Sequence, residues 1–329
     1  MSEEKELTRG EQLRRALVYE RKNGWDRLDA EEGAALEAYC TGYKQFLDAG
    51  KTERECVDRA IAQAEAAGFR AYVRGMELKP GDRIYQVNRD KAIMLAVMGR
   101  KGLEHGVNIG AAHIDSPRLD LKQNPLYESD ELGFFKTHYY GGIRKYQWVT
   151  IPLELHGVVA LKNGEVVRVS VGNGPDDPMF TIDDLLPHLA TDQVKKPLGE
   201  AIPAESLNIL VGSRPLRDDE GSDRVKLSVL ELLNRKYGIV EEDFLSAELC
   251  AVPAFRAVDI GFDRSLIGAY GHDDRVCAYA SLAALLQLGT PERTAVCMLA
   301  DKEEIGSEGV SGMKSRAFDT FMEDLCQSQ

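Results

Sequence analysis

The feature that most constrains this chain is an interruption: two stretches of α/β character flank a strand-rich insert. In the first stretch Thr52 to Glu55 has the form of a capping box. Cys56, Ala60, Ile61 and Ala64 then fall on one apolar helix face, and Gly68 supplies a stop. Residues 84–87 and 92–98 read as short strands, and 107–112 is a β-compatible run that ends at His113. After about residue 122 turn residues multiply. Asn163-Gly164 between 158–161 and 166–171 marks a hairpin, and 207–211 reads as a further strand. A helix starts at Asp223, turns Val225, Val229, Leu232 and Leu233 inward and stops near Gly238, followed by strand-like segments at 248–252 and 257–261. The α/β pattern then returns as a helix over 275–288, a buried strand over 294–300, a polar loop from Asp301 and a helix over much of 310–326. The expected organisation is α/β, with boundaries at 1–122, 123–262 and 263–329.

Composition narrows the function classes. Hydrophobic residues at 43% and charged residues at 29% are globular values and exclude extensive disorder. A net charge of −13 argues against nucleic acid or an anionic membrane as partner, because both require a basic face. It suits carboxylates that hold cations. No apolar run reaches the ~18 residues of a membrane span, and the charged start MSEEKELTRGEQLRRAL lacks the core of a signal peptide, which predicts a cytoplasmic location. Six cysteines without a CxxC pair read as free thiols, several of them buried, and not as a zinc finger.

Three short segments carry chemistry. In Ala111-Ala112-His113-Ile114-Asp115-Ser116-Pro117 a histidine at a strand end precedes an aspartate by two residues, which would put both on one side of the strand. Histidine is a good zinc ligand, and a carboxylate beside it can orient the ring. Taken alone, a solvated histidine and a turn aspartate fit better. Gly271-His272-Asp273-Asp274-Arg275 opens a helix, where adjacent acids fit N-capping or one carboxylate bridging two cations. Asp301-Lys302-Glu303-Glu304-Ile305-Gly306-Ser307-Glu308 follows a buried strand. It fits a solvated loop, or a general base beside a metal-ligating neighbour. Together the segments supply, in order, the terminal ligands, shared carboxylate and free base of a two-metal site. No GxSxG elbow supports a serine hydrolase.

Six stretches, AAHIDSPRLDLK, YYGGIRKYQW, LLPHLA, LNILVGS, GHDDRVCAYASLAAL and DKEEIGSEG, resemble the aspartyl aminopeptidase and vacuolar aminopeptidase I family of dizinc metallopeptidases, metallopeptidase family 18. They run in the family order over nearly all the chain after residue 80. The resemblance implies a three-layer α/β/α zinc-exopeptidase catalytic domain interrupted by a β-rich dimerisation domain. It implies two zinc ions per complete site, with cobalt or manganese as substitutes. By motif, His113 binds one metal, Asp115 orients or tunes it, Asp273 bridges both with Asp274 as its neighbour in a strained peptide, Glu303 is the general base and Glu304 binds the other metal. His188 reaches a neighbouring subunit's site to stabilise the oxyanion. The implied partners are peptide substrates and copies of the chain, as a homodimer or larger homo-oligomer (a dodecamer in the family). The style of the sequence is nearer the aminopeptidase I branch.

One departure stands out. The resemblance implies two further ligands beyond the Glu-Glu motif: an aspartate for the metal of His113 and a histidine for that of Glu304. After Glu308 the acids are Asp319, Glu323 and Asp324, on one expected helix, and no histidine follows His272. Each metal would lack one terminal ligand, and the sheet would expose an apolar edge. The expectation is therefore either an aminopeptidase of which this chain is the N-terminal portion, or an inactive fragment or oligomerisation scaffold of the same fold.

Overall fold

The computed structural model describes residues 7–218 and 220–328. The chain divides into two units, Met1–Gly42 and Tyr43–Gln329. In the first, α1 (Arg9–Leu17) is closed by a capping box between Thr8 and Glu11 and buries none of its residues. The division falls inside α2 (Ala30–Ala49).

The second unit continues with α3 (Glu53–Ala66), β1 (Arg70–Ala71), β2 (Arg83–Asn88), β3 (Ala92–Val97), β4 (Asn108–His113), β5 (Arg118–Ser129), β6 (Leu132–Tyr140), β7 (Leu153–Ala160) and β8 (Val166–Val171). There follow α4 (Leu198–Ala201), β9 (Ile209–Gly212), α5 (Arg224–Tyr237), β10 (Ala247–Pro253), β11 (Val258–Ile260), β12 (Leu266–Gly268), α6 (His272–Gln287), β13 (Ala295–Ala300) and α7 (Ala317–Gln327).

Strands β1-β2-β3-β13-β4 form one sheet, in that order. Its strands β3 and β13 are apolar on both faces because both of their faces are covered. Ile93, Leu95, Cys297 and Leu299 pack with Cys56 and Ala60 of α3 and Ala278 and Leu282 of α6. The alternate residues Met94, Ala96, Met298 and Ala300 pack with Phe321 and Leu325 of α7. The period of two along the strands thus produces the α/β/α layering. β4 is an edge strand of this sheet, and its Ile109 is half-exposed. The second sheet, β8-β7-β10-β5-β6-β9, encloses its own core around Leu119, Phe135, Leu155 and Leu249.

Local signals produced several elements as read. The Thr52/Glu55 capping box opens α3, and Gly68 follows its end at φ +83°. β7 and β8 pair through the turn holding Asn163-Gly164. α5 starts at Asp223 as read, with Asp223 at its N-cap position; no Asp223 side-chain bond closes that end, and the Glu128 carboxylate of β5 accepts from the amides of Val225 and Lys226 at 2.8 and 2.9 Å. Two readings are corrected. Leu232 is exposed and not inward. The last helix covers only Ala317–Gln327 of the expected stretch. Apolar periodicity identifies a helix face, but tertiary neighbours decide which edge of that face is covered.

A buried charge cluster joins α3 to β7. His156 Nδ1 donates to Glu55 Oε1 at 2.7 Å, its Nε2 lies 3.5 Å from Glu154 Oε2, and Lys51 Nζ lies 3.3 Å from Glu154 Oε1. Burial alone would depress the His156 pKa, but the neighbouring Glu154 carboxylate and the hydrogen bond to Glu55 outweigh it and raise it from 6.5 to about 9. A raised folded pKa means a stabilising contribution fully present below pH 6.5 and lost as pH climbs through 9. We expect on the order of 2 kcal/mol to disappear over that window. Thermal melts from pH 6 to 10 check this, with His156→Gln flattening the alkaline limb.

Candidate active site

β4 and β13 run parallel, with Ala300 in register with His113. Both strands therefore release their C-terminal loops at the same edge, where ligands collect in open α/β sheets. One loop carries His113 and Asp115. The other carries Glu303 and Glu304 in a short 3-10 turn entered through Lys302 at φ +70°. That second loop is shaped by buried Asp301, whose carboxylate accepts from the Lys302 amide at 2.8 Å and from Ser311 Oγ at 2.5 Å. The start of α6 completes the arrangement. Asp273 and Asp274 have non-helical backbone angles, the peptide between them is cis, and no side chain caps the helix. The capping reading of these two acids is therefore not what the structure uses.

His113 is buried. Its Nδ1–H donates to the Asp115 main-chain carbonyl at 3.0 Å, and Nδ1 lies 3.4 Å from the Asp115 carboxylate. Nε2 faces outward, 3.3 Å from Asp273 Oδ1 and 3.7 Å from Glu303 Oε2. The Asp273 and Glu303 side chains are 87% and 58% exposed, so this edge of the ring opens to solvent. Burial opposes a charge on His113, yet its bonds to Asp115 raise the pKa to about 9.

Asp115 is wholly buried and explains the geometry of the rest. Its Oδ2 accepts from Tyr140 Oη at 2.7 Å and from the Glu304 amide at 3.2 Å, while Oδ1 accepts from the Glu303 amide at 3.2 Å. Burial would raise its pKa, but the bonds from His113, Tyr140 and Glu304 hold it below the usual range. One carboxylate thus ties both loops together. Glu304 is pushed up, first by burial and then by the crowding of Asp115, Asp273 and Glu303, with His113 acting against them. A cation placed there would relieve this crowding.

The donor types suit zinc, and with Nδ1 turned to Asp115 the outward Nε2 is the nitrogen that would ligate once it gives up its proton. Among the described residues, however, no group of three or more His, Cys, Asp or Glu side chains is gathered closely enough to hold one ion. The convergence is pairwise, His113 with Asp273 and His113 with Glu303. His272 turns elsewhere: its Nε2 meets the Ile267 carbonyl at 3.1 Å and its Nδ1 the Tyr43 hydroxyl at 2.8 Å. His188 lies in an exposed turn between β8 and β9, and among the described residues no hydrogen bond or ion pair joins it to this group.

The family model described as aminopeptidase I zinc metalloprotease (M18) matches residues 46–329. This chain belongs to the M18 aminopeptidase family. It is similar to a probable M18 family aminopeptidase 1 of Clostridium acetobutylicum, 48% identical over 313 residues, covering 94% of this chain and 67% of that protein. The Thermotoga maritima counterpart is 45% identical over 317 residues, covering 95% of this chain and 68% of that protein. The crystal structure of a T. maritima M18 aminopeptidase matches with a TM-score of 0.89 at 43% identity, over 94% of this chain and 68% of that one. The class thereby assigned is a zinc metalloaminopeptidase, a hydrolase, with a mixed α/β fold. The chain spans about two thirds of the length of these M18 relatives.

Two residues beside this candidate site carried no chemistry in the sequence reading, although both lie in the YYGGIRKYQW stretch. Tyr140 anchors Asp115. Gly141, at φ +70°, leaves room for Glu304: a Cβ there would lie 3.0 Å from Glu304 Oε2 and 3.1 Å from its Cβ. Gly141→Ala is expected to cost about 1–2 kcal/mol from the left-handed backbone alone. It should also displace Glu304 and weaken zinc binding. Urea denaturation and a zinc titration of the same variant measure the two effects.

Proposed function

We propose that this chain contributes the centre of a zinc-dependent aminopeptidase that hydrolyses the first peptide bond of peptides. The observation that carries the proposal is the His113 ring. Asp115 holds it from behind, and its free Nε2 is presented to the carboxylates of Asp273 and Glu303. In this reading His113, Asp273 and Glu304 would hold the metal, Asp273 being the carboxylate that two ions would share, and cobalt or manganese could substitute. Zinc held there would supply Lewis acidity and would lower the pKa of water. Glu303, exposed and beside the ring, takes the proton of the attacking water and returns it to the leaving amine. Asp115 keeps its negative charge and holds the imidazole and both glutamate amides in place. His188, brought from a second copy, would steady the developing oxyanion.

Self-association belongs to the same reading. Leu185, Leu186 and Leu189 flank His188 and are all exposed, an apolar patch that suits a homodimer or larger assembly through the strand-rich sheet. Among the described residues no helix is long and apolar enough to cross a membrane. The test is hydrolysis of leucyl, glutamyl and aspartyl amides by the purified chain with zinc, cobalt or manganese. Metal-dependent turnover supports the proposal, and its absence with every metal contradicts it. One observation favours a second reading, an oligomerisation scaffold of the same fold: the described donors converge only in pairs. A stable oligomer that takes up no metal would select that reading.

A further inference from the structure

Among the described residues, Arg275 is the bulkiest side chain with no solvent exposure. It lies two residues after Asp273 at the start of α6. Its Nε donates to the Ile114 carbonyl at 3.1 Å and its Nη2 to the Lys51 carbonyl at 3.1 Å. No carboxylate of the described residues stands within ion-pair distance, and Nη1 has no hydrogen-bond partner among them. The Tyr270 ring centroid is 5.5 Å from Cζ. Gly271, at φ +83°, leaves the space that Nη1 occupies, since a Cβ there would run into it.

A buried guanidinium without a counter-ion is costly. Here it is met by two carbonyls from separate segments, a geometry that suits the planar fork of arginine and that a lysine ammonium cannot copy. The first carbonyl belongs to Ile114, the residue between His113 and Asp115. Ser116 adds a second tie, its Oγ donating to the Asp273 carbonyl at 3.2 Å.

We infer that Arg275 is a positioning residue for the metal centre: its fork fixes the 113–116 turn against the Asp273 segment and so sets the spacing between the His113 imidazole and the Asp273 carboxylate. The inference rests on the reading of those two residues as ligands. It assigns Arg275 no contact with substrate or metal.

The experiment compares the wild-type chain with Arg275→Lys, Arg275→Met and Ser116→Ala, each checked for folding by circular dichroism. Two readouts are taken. Cobalt titration followed by visible absorption reports ligand geometry and affinity. Hydrogen exchange of the metal-free chain over 108–118 reports the hold on the turn. We expect both arginine variants to bind cobalt about 10- to 100-fold more weakly with an altered spectrum, with exchange faster across 113–116, and Ser116→Ala to shift both readouts in the same direction by less. If Arg275→Met fails to fold, the lysine and Ser116 variants carry the test. A folded Arg275→Lys with unchanged exchange across 113–116 overturns the inference, whether or not metal binds. A wild-type chain that gives no cobalt spectrum contradicts the ligand reading instead.

Discussion

Glu303→Gln is expected to lower turnover by about 10³-fold, the scale of removing a general base, while leaving folding and zinc affinity close to wild type. The substitution is isosteric at a side chain 58% exposed, so it costs the fold little. The Glu303 amide that donates to Asp115 is main chain and is kept. What is lost is a carboxylate beside the His113 ring that can take a proton. The comparison requires rate and zinc affinity measured on the same preparation. A loss of rate accompanied by an equal loss of zinc would make Glu303 a ligand and not the base.

Asp115→Ala is expected to have the largest effect on the architecture. Asp115 has no solvent exposure, and its carboxylate receives the Tyr140 hydroxyl and the amides of Glu303 and Glu304, with His113 Nδ1 alongside. Removing it leaves these donors unpaired in the interior, with a cost of about 3–5 kcal/mol. The His113 ring and the glutamate loop would also separate, and zinc affinity should fall about 10- to 100-fold. Denaturant unfolding and zinc competition measure the two losses. Asp115→Asn should retain part of the stability, because one oxygen still accepts. If Asp115→Ala kept full stability and zinc binding, Asp115 would not be the tie between the two loops.

Much of the frame was legible in local sequence. The capping box of α3, the strand ending at His113 and the apolar strand before Asp301 are patterns within a few residues, and each formed as read. The motifs at 113–115, 273 and 303–304 meet because β4, α6 and β13 are neighbours, which the layered reading implied. What escaped was side-chain partnership across long separations. Tyr140 reaches Asp115 over 25 residues, Arg275 reaches Ile114 over 161, and Glu128 caps α5 from 97 and 98 residues away. No local periodicity encodes such pairs. Leu232 failed for a related reason, since nothing within α5 tells which apolar position lies at the margin of the packed face.

The most direct measurement is zinc-edge X-ray absorption on the chain loaded with zinc, beside His113→Ala. The expected result is a nitrogen and oxygen shell at about 2.0–2.2 Å with an imidazole signature that His113→Ala removes. A sulfur shell at about 2.3 Å, or zinc retained unchanged by His113→Ala, would contradict it.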